Sequence, residues 1–218
     1  MTQIKNSIRT SYQNLTQSAI RYVKYSFLLL IILALFGIGF FINFKNEERF
    51  NSFAAQSCIV ENHKEMSTKL AIIKAAEIIV RDGKNVHPDT ATKYAKWIYA
   101  SGEKHNVDPV LILSVMSVES NFIASAKSPT GPIGLLQVAY TWHKNKTSRA
   151  GLFDPKNNID VGTRILAEYK GATDIKTLSK YYGGSAEKSN KYALKVISYK
   201  YRYEHEILTA MYSKPFKG

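Results

Sequence analysis

The sequence predicts a mainly helical domain behind one N-terminal transmembrane helix. Three observations predict it. Residues 25–44 run without a single charge. Apolar residues beyond residue 63 recur at spacings of three and four, the period of a helix with one buried face. No stretch alternates apolar and polar residues with the period of two that marks a strand.

Residues 1–24 form the expected cytoplasmic N-terminus, carrying Lys5, Arg9, Arg21 and Lys24 and no acid. Residues 25–44, YSFLLLIILALFGIGFFINF, follow. A helix rises about 1.5 Å per residue, so such a run spans about 30 Å, the hydrocarbon thickness of a bilayer. Tyr22, Tyr25 and Phe44 stand at its edges, where interfacial aromatics collect. Basic residues concentrate on the cytoplasmic side of a span. The expected localisation is therefore a single-pass inner-membrane protein with its N-terminus inside and everything after the span exported. A cleaved signal peptide fits less well, because the apolar core is long and the nearest small-residue site, after Ala54, lies well past it.

Residues 45–62 are polar and mixed, and are expected to form a juxtamembrane linker. The exported domain is expected to fill 63–218. Lys64 to Arg81 is its first helix candidate, with Met66, Leu70, Ile73, Ala76, Ile79 and Val80 recurring at helical spacing, ended by Asp82-Gly83. His87-Pro88 opens a second, to about Lys104, with Tyr94, Trp97 and Ile98 near one face. Asp108-Pro109 opens a third, Asp as cap and Pro at the first helical position. Its Val110, Leu111, Leu113, Val115 and Met116 make it apolar enough to be central. Residues 125–134 hold two Pro and two Gly and are expected to be a loop. Asn157 to Lys170 and Ile175 to Tyr182 read as shorter helices, and Ser189 to about Met211 as a long closing one.

Net charge is +13. The four basic residues before the span account for part of it, leaving +9 beyond Phe44. Such a surface suits anionic partners such as lipid or a carboxylate-bearing wall polymer. The Lys- and Tyr-rich tail, 188–203, could also suggest nucleic acid, but on an exported domain a closing helix that buries its tyrosines is the better reading, so no nucleic-acid partner is expected. The single cysteine, Cys58, can neither close an internal disulfide nor build a zinc site. His63, His87, His105, His143 and His205 show no metal-ligand spacing. No metal and no cofactor is expected.

One residue is out of place. Glu119 ends the apolar third helix in Val118-Glu119-Ser120-Asn121-Phe122. Burial and the negative end of the helix dipole both raise a carboxyl pKa, which is what a general acid needs. Locally, Glu119 could equally be the first solvated residue past the helix.

The surroundings decide otherwise. Over about 94–203 the sequence resembles the SLT-type lytic transglycosylases, a goose-lysozyme-like family. Asn106 to Leu113 is similar to its "VDPxLxxA" helix start and Val118 to Phe122 to its "xESxF". Ser128 to Val138 is similar to "SPxGAxGLMQ". Leu152-Phe153-Asp154-Pro155 with Asn158-Ile159 and Gly162 is similar to "LFDPxxNIxxG". Leu178, Tyr181 and Gly184 are similar to "LxxYNxG", and Tyr192 with Lys195-Val196 to "YVxKV".

The resemblance implies a lysozyme-like helical fold with little or no sheet, and a peptidoglycan glycan strand as substrate. It implies that Glu119 is the single catalytic acid/base, cleaving the bond from N-acetylmuramic acid to N-acetylglucosamine and leaving 1,6-anhydro ends. Gln137 would line the saccharide cleft, and Gly131 and Gly134 would let the loop backbone approach the sugar. Ser120 and Ser128 fall at orienting or substrate-binding positions. Tyr181 would hydrogen-bond Glu119, although Tyr182 competes for that role. For Gln137 the plainer alternative is a hydrogen bond from loop to core, and for Tyr181 ordinary packing. The family's Asn after the tyrosine is Tyr182 here, and Pro132 replaces a small residue before Ile133.

A hydrolytic muramidase is a second reading. An inverting one would need another carboxylate about 6.5–9.5 Å from Glu119, with Asp154 and Asp160 the nearest in sequence. A non-catalytic wall-binding subunit of an envelope-spanning secretion complex is a third. Such a complex is also a conceivable partner for the enzyme, by analogy only.

Overall fold

The computed structural model describes residues 2–212. Met1 and residues 213–218, the outer ends of the expected N-terminal segment and exported domain, lie outside the described residues. Seven α-helices run in order: α1 Thr2–Asp82, α2 Pro88–His105, α3 Pro109–Ser120, α4 Tyr140–His143, α5 Pro155–Glu168, α6 Asp174–Tyr182 and α7 Ala186–Tyr212. A 3₁₀ turn, Ala150–Phe153, precedes α5. Among the described residues there is no sheet. Two isolated antiparallel bridges, Lys127 to Ile133 and Ile133 to Val138, are the only extended pairings. The mainly α expectation holds.

The chain divides into two units, Met1–Asn62 and His63–Gly218. In the first, Ser26–Glu47 is 22 residues long and apolar enough to cross a membrane, and none of it is buried. The polar stretch 45–62, expected as a linker, is helical and part of α1. Cys58 in it is an exposed free thiol.

In the second unit the starts of α2, α3 and α5 follow one local device. A proline sits at the first helical position and the residue before it supplies the cap. The Asp108 carboxylate accepts from the Val110 N–H (2.8 Å) and the Asp154 carboxylate from the Asn157 N–H (2.7 Å). The His87 ring nitrogen accepts from the Asp89 N–H (3.3 Å). Each satisfies an N–H that the helix cannot. At the other ends, Asn106 and Asn121 turn left-handed (φ 53° and 47°) and stop α2 and α3, a conformation asparagine tolerates better than most residues.

The core is built around α3. Leu111, Ile112, Leu113, Val115 and Met116 are all but inaccessible to solvent. α3 packs between α2 and α7; α6 packs on α7, and α5 on α2 and α6. α7 turns one stripe inward, Ser189, Tyr192, Ala193, Val196, Tyr203 and Ile207, at the spacing a helix needs. Gly162 lets α5 lie close to the loop before it: a Cβ there would stand 2.6 Å from that of Leu136.

The last turns of α1 differ from the expected face. Ala71, Ala75, Ala76, Ile78 and Ile79 are buried, whereas Met66, Ile73 and Val80 are exposed. Two apolar stripes lie side by side on this helix, and periodicity alone does not rank them. The exposed stripe lines one wall of an apolar groove of about 770 Å³ closed by Pro88 and Thr92. The end of α1 is fixed by Asp82, which accepts from the Tyr203 hydroxyl (2.8 Å) and pairs with Arg81 (2.6 Å) and Arg202 (2.5 Å). Tyr203 also reaches Ser117 on α3 (2.9 Å). Burial pushes the Asp82 carboxyl up, but these hydrogen bonds and positive charges outweigh it and hold it below the usual range.

One buried side chain pins the loop 126–138 to the helices. Asn158, on α5 and fully buried, accepts from the Leu136 N–H (2.8 Å) and donates to the Ile133 and Leu152 carbonyls (both 2.9 Å). A loop strand has no ladder to satisfy its backbone, and a primary amide carries both the donors and the acceptor required. Asn158→Ala leaves the Leu136 N–H and the Leu152 carbonyl unpartnered, at about 1–3 kcal/mol each, while the Ile133 carbonyl keeps the Val138 N–H (3.0 Å). A loss of at least about 2 kcal/mol in unfolding free energy is expected by denaturant titration, with Asn158→Asp also destabilised because it cannot donate to the two carbonyls.

Candidate active site

Glu119 lies in the last turn of α3. The apolar residues before it place that turn against the core. The left-handed pair Asn121 and Phe122 (φ 47° and 64°) then swings the chain away, with Phe122 buried beneath. The carboxyl faces a cleft of about 440 Å³ shared with Ser120, Asn121, Lys127, Ser128 and Gln137. Residues distant in sequence thus meet where expected: Glu119, Ser120, Ser128 and Gln137 line one cleft.

The Glu119 carboxyl holds its proton more tightly than an ordinary glutamate. Burial pushes the Glu119 carboxyl up to about 7, against the Tyr192 hydrogen bond and the Lys195 charge, which both favour the carboxylate. Desolvation therefore dominates. The α3 dipole works in the same direction as burial.

The hydrogen bond expected of Tyr181 is made by another residue. The Tyr192 hydroxyl, from α7, donates to Glu119 Oε1 at 2.6 Å. Tyr181 instead donates to the Leu136 carbonyl at 2.6 Å, so it braces the cleft loop against α6. Tyr182 does not reach Glu119 by any hydrogen bond; its ring stacks on Tyr192, centroids 4.7 Å apart and planes 25° from parallel. Burial and the neighbouring Glu119 charge push both the Tyr181 and Tyr192 hydroxyls well above the usual tyrosine value, so both stay protonated as donors. Tyr192 was visible as part of a motif, but nothing in the sequence pairs a residue with another 73 positions away.

The other expected site residues divide. Ser120 is buried, and its hydroxyl bonds the Met116 and Leu135 carbonyls (3.0 and 2.8 Å), which ties the helix end to the loop. Gln137 lines the cleft with a left-handed backbone (φ 45°). Its amide nitrogen donates to the Ala126 and Gly134 carbonyls (3.2 and 2.9 Å), so it also holds the loop closed. Ser128 caps a tight turn, bonding Thr130 (2.9 Å), while the Gly131 N–H closes on the Ser128 carbonyl (3.0 Å). Gly131 (φ 111°) stands in open space. Gly134 does not open the loop to a ligand. It is buried with φ 79°, and a Cβ there would stand 2.7 Å from the Leu152 carbonyl oxygen and run into the Asn158 amide. Its missing side chain makes room for the Asn158 bonds.

No second carboxylate lines the Glu119 cleft. Asp154 is spent on capping α5. Asp160 pairs with Lys104 (2.8 Å) and His105 (2.9 Å). Both aspartates line a separate pocket beside Trp97. Among the described residues no group of His, Cys, Asp or Glu is arranged to hold a metal.

The raised carboxyl has a consequence for stability. Its folded pKa of about 7 lies above the ordinary 4.5, so the folded state keeps the proton in between. The contribution is complete below about pH 4.5 and is lost as pH rises through about 7. Neutral Gln at this position removes that loss. Glu119→Gln is expected to gain on wild type by up to about 3 kcal/mol between pH 5 and pH 8, read as a growing difference in thermal midpoint.

Residues 96–202 match the family described as "Transglycosylase SLT domain". The chain is 37% identical over 115 residues to the membrane-bound lytic murein transglycosylase C of Serratia proteamaculans, covering 44% of this chain and 32% of that protein. Against the protein of the same name from Yersinia enterocolitica the identity is 35% over 115 residues, with the same coverage. The chain thus spans about a third of the length of these curated relatives. The matched segment contains the whole of α3, the cleft loop, α5 and α6, and it holds Glu119, Gln137 and Tyr192. Residues 96–202, just under half of this chain, thus resemble the transglycosylase SLT domain family.

Proposed function

We propose that this protein is a membrane-anchored lytic transglycosylase of peptidoglycan, with Glu119 as its single general acid and base. The observation that carries the proposal is one carboxyl, pushed up to about 7, facing a cleft that no other carboxylate lines, inside an SLT domain.

Near neutral pH a large fraction of Glu119 is protonated. It gives that proton to the oxygen between N-acetylmuramic acid and N-acetylglucosamine as the glycosidic bond breaks. The substrate's own N-acetyl group stabilises the developing cation, a recognised exception to the two-carboxylate rule. The resulting carboxylate takes the proton from the muramic 6-hydroxyl, whose oxygen then closes on the anomeric carbon. Glu119 ends protonated and no water is consumed. Tyr192 donates to the carboxylate formed midway and keeps it oriented. An inverting muramidase would need a second carboxylate to activate water, and Asp154 and Asp160 are committed elsewhere.

Ser26–Glu47 would be the anchor. The basic flank before it supports an N-terminus inside, which places the catalytic unit outside the cytoplasmic membrane, facing the wall. The names of the two relatives describe those proteins as membrane-bound, in keeping with this reading. The net +9 beyond the span suits an anionic polymer. A role beside an envelope-spanning complex rests on analogy of size and domain only.

The test is digestion of purified sacculi by the detergent-solubilised full chain, wild type against Glu119→Gln, with released muropeptides weighed by mass spectrometry. The expected products are one water lighter than hydrolysis products, and their release falls by at least about 100-fold in the variant. Water-added products would instead make the protein a muramidase. Because the acid must carry its proton, the rate is expected to fall as pH rises through about 7, approaching tenfold per pH unit above it.

A further inference from the structure

Tyr182 stands where the family pattern carries asparagine, and the domain holds it in place from several sides. Its neighbour Tyr181 anchors the end of α6 through the Leu136 carbonyl (2.6 Å). The next residue, Gly183, ends the helix with its N–H on the Ser179 carbonyl (3.2 Å). The Gly183 carbonyl in turn accepts from Ser189 Oγ on α7 (2.9 Å). The turn between α6 and α7 is therefore fastened to both helices. Between the fastenings the Tyr182 ring lies against Tyr192, while Tyr182 itself remains 46% exposed.

That exposure needs a reason. Two consecutive tyrosines on a helix point about 100° apart, and here the first goes inward to the loop. The second covers a face of the one side chain that hydrogen-bonds Glu119. A tyrosine ring can leave its partner by a single χ1 rotation to another staggered well. A flat neighbour stacked at 4.7 Å obstructs that rotation. Asparagine has no ring with which to do so.

We propose that Tyr182 is a positioning residue, a plate that keeps the Tyr192 ring in the rotamer that delivers its hydroxyl to Glu119. It touches neither Glu119 by hydrogen bond nor the reacting atoms in this arrangement; it acts through Tyr192. The inference rests on the reading of Glu119 as the acid.

The groups bearing on Glu119 are few. From α7 come Tyr192 and Lys195, from α6 Tyr181, and from the cleft loop Lys127 on the shared wall. A substitution at 182 replaces none of these side chains and, of them, removes a ring contact only from Tyr192. The hydroxyl of Tyr192 favours the charged carboxylate. If Tyr192 leaves, Glu119 holds its proton to higher pH.

The experiment titrates Glu119 directly in the detergent-solubilised full chain. Carboxyl-13C glutamate NMR is recorded for wild type, Tyr182→Phe, Tyr182→Asn and Tyr182→Ala, with the Glu119 signal identified by its absence in Glu119→Gln. Phe keeps the ring and is expected to titrate as wild type. Asn and Ala are expected to titrate about one pH unit higher. The alkaline limb of sacculus cleavage is expected to move up with them, with kcat reduced several-fold and apparent KM within about twofold. Unchanged titration in both Asn and Ala variants, even with a lower thermal midpoint, would reduce Tyr182 to packing and overturn the proposal. So would a downward displacement, which would mean that water had replaced the ring. The titration needs no turnover. If wild type releases no glycan fragments while the titration shifts as expected, the transglycosylase reading fails and the role of Tyr182 stands.

Discussion

A carboxyl group at the end of an apolar helix is the constraint around which this domain is arranged. α3 is buried along almost its whole length, and the turn that carries Glu119 is partly buried beside the cleft. Ionisation there is opposed by lost hydration and by the helix dipole. The resulting proton affinity near neutrality follows from the burial of that carboxyl. The Tyr192 bond tempers the shift, orienting the carboxyl without holding it ionised.

The surrounding structure serves that end by fixing loops rather than by adding catalytic groups. Asn158 satisfies loop backbone from α5, Ser120 does so from α3, and Tyr181 from α6. Three helices thus place four hydrogen bonds on the short stretch Ile133–Leu136, immediately before Gln137. A loop with no sheet to join would otherwise carry buried, unpartnered backbone. Gly134 belongs to the same device, because any side chain there would displace Asn158.

The two units are of different kinds. The first is a helix whose apolar stretch is exposed among the described residues, and the second is a helical core closed by α7. Between α1, α3 and α7 the Asp82, Tyr203 and Ser117 bonds tie the end of the first helix to the helix that carries Glu119. Such a tie gives α7 a second attachment to α3, eleven residues along from Tyr192, which places both tyrosines on the same face of α7.

Much was legible in the sequence because it rests on local chemistry. The helix starts at His87-Pro88 and Asp108-Pro109, the end of the third helix at Glu119, and the uncharged run before Lys45 all act within a few residues. Glu119 drew attention because a charge at the end of an apolar helix conflicts with its surroundings, but that local conflict left its role open, and only the resemblance of the surrounding motifs made it the expected acid. What only the tertiary structure decided involves competition between equivalent local choices. Either of two adjacent apolar stripes could have closed α1 onto the core, and the alanine-rich one did. Any of three tyrosines could have reached Glu119. The turn of α6 sent Tyr181 to the loop and Tyr182 onto a ring, leaving the bond to Tyr192 on a helix 73 residues away. Asn158 likewise showed no sign of its role, since a buried amide is specified by the backbone groups that surround it after folding. Sequence period and capping fix where helices begin and which residues conflict with them. Which side chains then meet is set by the packing of whole helices, a property no local window contains.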